Sequence, residues 1–412
     1  MTDSSKAFRQ LLTETKDGDW GKGEPTEGYM PVHVIRGTDF SDVKLGNIAN
    51  VPLRFLSEKT VHRRLLQADD ILIETAGGSR DRPTGRTLLI TQETLDRFSG
   101  PVTCASFARF LRINSRAVNP RYLYWYLQHL YARGDMWVHQ VQHTGVARFQ
   151  FTRFAESEMV PLIRRSEQEG IESLLGVLDD KITINERIAA TYEGLLQCRY
   201  NELGLADEPA DESAVPITDL IAFNPKLGKP SVDEPVYVDM AALQTGKASI
   251  PTWTRRAPKS GPRFMNGDTL LARITPCLEN GKTGYVDFME DGEIGLGSTE
   301  FIVMRSLAGI PSELSYFLAR DSRFREHAIR NMVGTSGRQR VSAADAANYF
   351  VNLPDADALT AFGNEASATF AHMKSLQSES RALAALRDIL LPQLMSGRLH
   401  VRDAEKIVED AK

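Results

Sequence analysis

Along this chain, short apolar runs give way to a long stretch where apolar residues recur every three or four positions, and then the series begins again. In the first round, 32–35, 70–74, 86–90 and 107–113 are rich in Val, Ile, Leu and Phe and are bounded by Gly and Pro clusters, which predicts strands. Their counterparts in the second round are 236–238, 269–274, 284–288 and 300–304. Pro120 and Pro311 then open amphipathic helices, with Asn119 as an N-cap before Pro at the first helical position. Beyond Pro161, Ile171, Leu174, Leu178, Ile182, Ile188, Tyr192 and Leu195 recur at helical steps, with charged residues between them. Beyond Pro354 the same holds for Leu359, Phe362, Ala366, Phe370, Met373, Leu376, Leu383, Leu386 and Leu390. This spacing predicts a two-stranded seam formed by Ile171, Leu178, Ile188, Tyr192 and Leu195 against Leu359, Phe362, Phe370, Met373, Leu383, Leu386 and Leu390. Helices of about 35–40 residues are roughly 55 Å long at about 1.5 Å per residue, and in one chain they can lie antiparallel. The alternative is two separate surface helices, each on its own core.

The two rounds match piece by piece. Trp20-Gly-Lys-Gly-Glu-Pro25 and Met30-Pro-Val-His-Val34 are echoed by Asn224-Pro-Lys-Leu-Gly-Lys-Pro230 and Glu234-Pro-Val-Tyr-Val238. Leu65-Leu-Gln-Ala-Asp-Asp-Ile-Leu-Ile73 is echoed by Phe264-Met-Asn-Gly-Asp-Thr-Leu-Leu-Ala272, and Ser106-Phe-Ala-Arg-Phe-Leu-Arg-Ile113 by Ser298-Thr-Glu-Phe-Ile-Val-Met-Arg305. A repeat of about 190–200 residues is far longer than the ~20–50 residues of a solenoid unit, so a domain and its helix are duplicated. The fold class is α+β, with two repeated mixed-sheet domains separated by two long antiparallel helices forming a coiled coil. The boundaries are 1–162 for the first domain, 163–204 for the central helix, 205–217 for an acidic linker, 218–355 for the second domain, and 356–402 for the distal helix and tail.

At 412 residues, 42% hydrophobic and 25% charged, the chain has the composition of a globular protein with a substantial core. The segment Met1-Thr-Asp-Ser-Ser-Lys-Ala-Phe-Arg9 has no apolar core of a secretory signal, and no apolar run approaches the length of a membrane span. Cys104, Cys198 and Cys277 are too dispersed for a disulfide framework or a zinc knuckle, so the expected compartment is the reducing cytoplasm. A net charge of −5 argues against a chain that grips a polyanion alone. The charge is uneven, however. Glu202, Asp207, Glu208, Asp211, Glu212 and Asp219 crowd one linker, whereas Arg320, Arg323, Arg325, Arg330, Arg338 and Arg340 enrich 316–345.

Enzyme motifs nearly appear and then fail. Asn119-Pro-Arg-Tyr122 is near the Asn-Pro-Pro-Tyr of adenine methyltransferases, but a helix start explains it and its repeat partner lacks the Asn. His139-Gln-Val-Gln-His143 has the histidine spacing of a zincin without the glutamate. No phosphate loop is present, and no catalytic constellation occurs in both rounds, so the chain reads as non-catalytic with no metal site. What does occur in both is a basic, small-residue loop at matched places: 77–86 and 275–284, then 143–148 and 334–340. Glycine lets backbone N–H groups approach phosphates, and Arg or Gln can read base edges in pairs. The candidate DNA contacts are Arg80, Arg82, Thr84, Arg86, Arg148, Arg273, Lys282, Thr283, Ser336, Arg338, Gln339 and Arg340. Solvated turns are the competing reading of any one of them.

Leu178-Asp-Asp-Lys-Ile182 with Asn185-Glu-Arg-Ile188, and Arg381-Ala-Leu-Ala-Ala-Leu-Arg-Asp-Ile-Leu-Leu-Pro-Gln-Leu-Met-Ser-Gly-Arg-Leu399, resemble the two conserved helices of type I restriction–modification specificity subunits. Gly18-Asp-Trp-Gly-Lys-Gly-Glu-Pro25 resembles the start of a target recognition domain in that family. The resemblance implies two target recognition domains, each reading one half of a split site in double-stranded DNA, with the helices as a ruler. It also implies two methyltransferase subunits and motor-nuclease restriction subunits as partners. S-adenosylmethionine, ATP and Mg would then be bound by those partners, and none by this chain. Two other readings stay open: an adaptor of a methylation-only or other defence system, and a coiled-coil scaffold that binds no DNA.

Overall fold

A computed structural model describes residues 4–78, 82–143, 146–209, 214–257, 260–335 and 337–410. The chain divides into two compact units: Met1–Arg187 with Glu379–Lys412, and Ile188–Ser378. Both are built to one plan.

In the first unit, strands Leu12–Asp17, Ala108–Ile113, Ile71–Glu74 and Thr87–Leu89 form an antiparallel sheet in that spatial order. Beside it lies a smaller sheet of Leu53–Ser57, Tyr29–Ile35 and Val102–Cys104, whose last two strands run parallel. In the second unit the order is Ile221–Phe223, Phe301–Ser306, Thr269–Ala272, Lys282–Tyr285 and Gln244–Thr245. Its smaller sheet again holds one parallel pair, Val236–Val238 with Gly295–Gly297. Strand Ser4–Ala7 pairs with Met159–Leu162 as Ala214–Pro216 pairs with Phe350–Asn352. The duplication read from the sequence is therefore a duplication of topology, and it includes the outer strands Leu12–Asp17 and Ile221–Phe223 that the pattern did not predict.

The central strands Ile71–Glu74 and Thr269–Ala272 are buried at every position, as expected where both faces of a strand are covered. Each begins beside a buried aspartate. Asp70 is bridged by Arg112 at 2.8 Å and accepts from the Gln67 N–H at 2.8 Å. Asp268 is bridged by Arg305 at 2.6 Å and accepts from the Met265 N–H at 2.8 Å. Burial pushes both carboxyls up from their ordinary value, and the guanidinium and backbone N–H work against it. Asn119 caps helix Pro120–Arg133 as expected, accepting from the Arg121 and Tyr122 N–H groups. The counterpart helix is Leu314–Arg320, and Pro311 stands in the turn before it, accepting from the Leu314 N–H, instead of at its first position.

Long helices Arg165–Glu202 and Ala356–Met395 are both continuous, and they pair antiparallel within each unit. In the first unit Asp179 meets Arg387 at 2.7 Å and Asn185 donates to Glu379 at 2.7 Å. In the second, Tyr192 meets His372 at 3.3 Å and Arg199 meets Glu365 at 3.4 Å. Ile171, Leu178, Leu390, Leu359, Phe362, Phe370 and Met373 are buried as expected. Leu383 and Leu386 pack partly buried on the first core, and Tyr192 does so on the second; Ile188 is half-buried. Leu195 is a correction. It is 46% exposed, and Leu196, fully buried, takes its place. Buried polar side chains Asn185 and Glu193 occupy positions on the stripe, so a search for apolar residues slipped onto their neighbours.

The helices are not set apart from the globular parts as a separate 163–204 or 356–402 segment. Each is divided between the two units, and its buried side chains belong to their cores: Phe370 lies edge-on to Tyr285 and Phe317. Nor is 205–217 wholly a linker. Leu205 is buried, and Ala214–Pro216 is a strand.

Removing one member of a buried ion pair leaves the other charge uncompensated, typically at about 3–5 kcal/mol. Arg112→Ala and Arg305→Ala should each lower unfolding stability by about 3 kcal/mol in urea titrations, each acting on its own unit.

Candidate nucleic-acid interface

The chain leaves each central strand at the same end and meets the same two neighbours there. In the first unit the Thr75 N–H donates to the Phe107 carbonyl at 2.9 Å, and the Phe149 N–H donates to the Thr75 carbonyl at 2.9 Å. In the second unit the Arg273 N–H donates to the Glu300 carbonyl at 3.0 Å, and the Val341 N–H donates to the Arg273 carbonyl at 3.0 Å. Hairpin strand Val146–Phe149 pairs Arg148 with Ala76, and an isolated bridge pairs Arg340 with Ile274. Arg148 and Arg340 are thus structural equivalents, and so are Phe107 and Glu300, one residue out from the sequence pairing, which set Phe107 against Thr299. The paired loops of the sequence reading converge in each unit. Gln140 accepts from the Thr84 N–H at 2.8 Å, tying 77–86 to the first hairpin. Thr275 and Gln339 exchange two hydrogen bonds, of 3.0 and 3.1 Å, tying 275–284 to 334–340.

The candidate residues separate by what holds them. Arg80 and Ser336 lie outside the described residues. Arg82, Arg148 and Arg338 are exposed, and none has a side-chain ion-pair partner among the described residues. Gly334 and Gly337, with φ of 135° and 79°, shape the turn that carries Arg338; a Cβ at Gly334 would meet the Arg338 carbonyl oxygen at 2.9 Å. Gln339 is half-buried. Arg340 is clamped by Glu300, its Nη2 2.7 Å and its Nε 2.8 Å from the two carboxylate oxygens, and this hydrogen bonding holds the Glu300 carboxyl below its usual value. Arg273 is half-buried near the same glutamate.

Other candidates are buried or already hydrogen-bonded within the fold. Thr84 is fully buried, its hydroxyl 3.2 Å from Gln140. Arg86 grips the buried Glu74 at 2.8 Å and the Gly37 carbonyl at 2.8 Å. Lys282 donates to the Met240 carbonyl at 3.1 Å, and the Thr283 side chain is buried within strand Lys282–Tyr285.

The sequence reading missed a groove of about 850 Å³ in the first unit, lined by Phe107, Arg109, Arg148, Gln150, Thr152 and Arg153 among others. It had placed Phe107 inside a strand. The structure starts the strand at Ala108 and leaves Phe107 in the turn before it, 58% exposed. Exposed cation–aromatic pairs on the smaller sheet, Arg54 over Trp20 at 4.4 Å and Lys22 over Tyr29 at 4.2 Å, were missed as well. Among the described residues no group of His, Cys, Asp and Glu could hold a metal ion, and no helix is long and apolar enough to cross a membrane.

The chain is thus a duplicated α+β protein with an arginine-bearing loop cluster at one end of each main sheet, and comparison with known proteins shows what it is similar to. No family model matches the chain. The EcoAI type I restriction enzyme specificity subunit of Escherichia coli is 28% identical over 132 residues, which is 30% of this chain and 22% of that protein. The EcoEI specificity subunit of the same organism is 26% identical over 148 residues, 34% of this chain and 24% of the relative. The matched segments thus span about a quarter of these curated relatives. The S subunit of a type I restriction–modification system from M. genitalium shares the fold, with a TM-score of 0.53 at 14% identity over 95% of both chains. In sequence and in fold, the chain is similar to type I restriction–modification specificity subunits.

The sorting of arginines is testable by stability alone. Arg148→Ala and Arg338→Ala should leave the unfolding midpoint within about 0.5 kcal/mol of wild type, as surface changes do. Arg86→Ala, which strands Glu74, should cost about 3 kcal/mol in the same urea titration.

Proposed function

We propose that this chain is the DNA-recognition subunit of a type I restriction–modification complex, non-catalytic itself, with one half of a split site read by each unit. The carrying observation is that both units bring the same loops to the same end of the same sheet while differing in the side chains there: Phe107 and Arg148 in one, Glu300 and Arg340 in the other. Scaffolds of one plan with different side-chain chemistry at matched places suit two readers of two different sequences. The fold of a type I S subunit supports the same reading. Arg82, Arg148 and Arg338 are the exposed cations for phosphates or base edges, and the modest charge of the chain suits a subunit whose partners share the grip. The partners in this reading are two methyltransferase subunits docked on the long helices, and motor-nuclease subunits beyond them. S-adenosylmethionine, ATP and Mg belong to those partners, and the complex works in the cytoplasm.

Selection from a randomised duplex library, with the full chain and its methylating partner, tests this directly. A split motif is expected, with affinity that falls steeply with salt. Exchanging 20–160 for the equivalent piece of a relative should change one half-site and leave the other intact. Arg338→Ala should either relax one base position by about 1–3 kcal/mol, or reduce the salt slope by about one on all sequences. A chain that selects no motif would be a scaffold. A split motif without any DNA cleavage would mark a methylation-only system.

The long helices make the spacer predictable. Each passes from one unit to the other, between Arg187 and Ile188 and between Ser378 and Glu379. Inserting one heptad in both helices at those points keeps the buried stripes in phase. It adds roughly 10 Å at about 1.5 Å per residue, or about three base pairs at ~3.4 Å each. The selected motif should keep both half-sites and gain about three unread base pairs; an unchanged spacer would show that the helices do not set it.

A further inference from the structure

Phe107 and Glu300 occupy one place in the two units, each in the turn before the equivalent strands Ala108–Ile113 and Phe301–Ser306. Their surroundings differ. Glu300 clamps Arg340 with two hydrogen bonds from its guanidinium. Arg148, the counterpart of Arg340, finds a benzyl group at that place and has no ion-pair partner among the described residues. Phe107 is 58% exposed on the wall of the groove of about 850 Å³. Arg109 in that groove is occupied: Asp17 holds it at 2.7 Å, and it lies over the Phe151 ring at 4.6 Å. Arg148 and Arg153 are exposed, and neither is in an ion pair among the described residues. The turn itself is stiff. The Phe107 carbonyl accepts from both the Thr75 and Ala76 N–H groups, at 2.9 and 3.3 Å, and the Ala108 N–H closes onto Ala105 at 2.8 Å.

A fixed backbone thus holds an apolar ring out in water beside two uncommitted guanidiniums. The ligand that suits this is a polyanion whose recognised feature is apolar. On the base edges of duplex DNA that feature is the 5-methyl group of thymine. We propose that Phe107 is a specificity-determining residue of the first unit, packing on a thymine methyl while Arg148 and Arg153 hold adjacent phosphates. This rests on the DNA-recognition reading above.

The test uses the full chain with its methylating partner, library selection, and duplexes carrying the selected site. Phe107→Leu should keep the wild-type motif, and Phe107→Ala should lose the preference for thymine at one position of the first unit's half-site, weakening binding about tenfold. Replacing that thymine by uracil should weaken wild type several-fold and leave Phe107→Ala unaffected. Because Phe107 is exposed, both variants should melt as wild type does; should Phe107→Ala misfold, Phe107→Leu and the uracil duplex on wild type still decide. If wild type shows no salt-dependent DNA binding and selects nothing, the DNA-recognition reading fails and takes this inference with it. If wild type selects a split site but Phe107→Ala selects the same one and uracil is tolerated, only this inference fails. Weaker binding by Phe107→Ala with uracil tolerated also overturns it, in favour of a ring that wedges between bases.

Discussion

In each unit a buried carboxylate ties the turn that opens the central strand to the neighbouring strand. Asp70 and Asp268 stand at the start of the central strands, accept from a backbone N–H three residues earlier, and take a two-pronged guanidinium from the neighbouring strand. An unpaired carboxylate at 1% or 0% exposure would be prohibitively costly to bury, so the aspartate can sit there only if the turn and the arginine arrive together. That constraint fixes the register of Ile71–Glu74 against Ala108–Ile113, and of Thr269–Ala272 against Phe301–Ser306. Register at the start of the strand dictates what meets at its end. Thr75 reaches Phe107 and Phe149, and Arg273 reaches Glu300 and Val341, because no other alignment is left. The candidate interface is downstream of a charge pair at the far end of the same strands.

Polar side chains do similar work along the helices. Glu193 accepts from the Ala248 N–H, the Tyr316 hydroxyl and Arg320, so one helical carboxylate is tied to a loop and to a helix of the second unit. Asp179 is bridged by both Lys44 and Arg387, tying both long helices to the smaller sheet region of the first unit. An all-apolar stripe would allow a helix to slide by a turn at little cost, whereas each of these groups has its hydrogen bonds at one position only. Within each unit the helices are therefore held in a defined register against that unit's own core.

In the loop clusters, the side chains that hold the fold are separate from those left on the surface. Arg86 and Thr84 are spent on holding the loops, through Glu74 and Gln140, and Arg148 and Arg338 are left uncommitted on the surface. All four belong to residue types that the sequence alone places in one class. The free energy of the fold depends on the first pair, and the surface chemistry depends on the second, so the exposed side chains can change without unsettling the sheet.

Much was fixed by sequence alone. The duplication, eight strands shared between the two units, the Asn119 cap and both long helices follow from local pattern: hydrophobic period, turn residues and caps act within a few positions. The resemblance to type I specificity subunits rests on contiguous helix motifs and is equally local. Tertiary structure decided the rest. It put Leu196 in place of Leu195, because buried Asn185 and Glu193 are satisfied by partners distant in sequence that no periodicity reveals. It made Ala214–Pro216 a strand, because its partner Phe350–Asn352 lies more than a hundred residues away. It divided the arginines into anchors and free cations, a distinction set by whether a carboxylate from another strand reaches them. It also turned Phe107 outward at a place where its repeat partner is a glutamate, because a side chain's surroundings are made by segments that only the folded chain brings together.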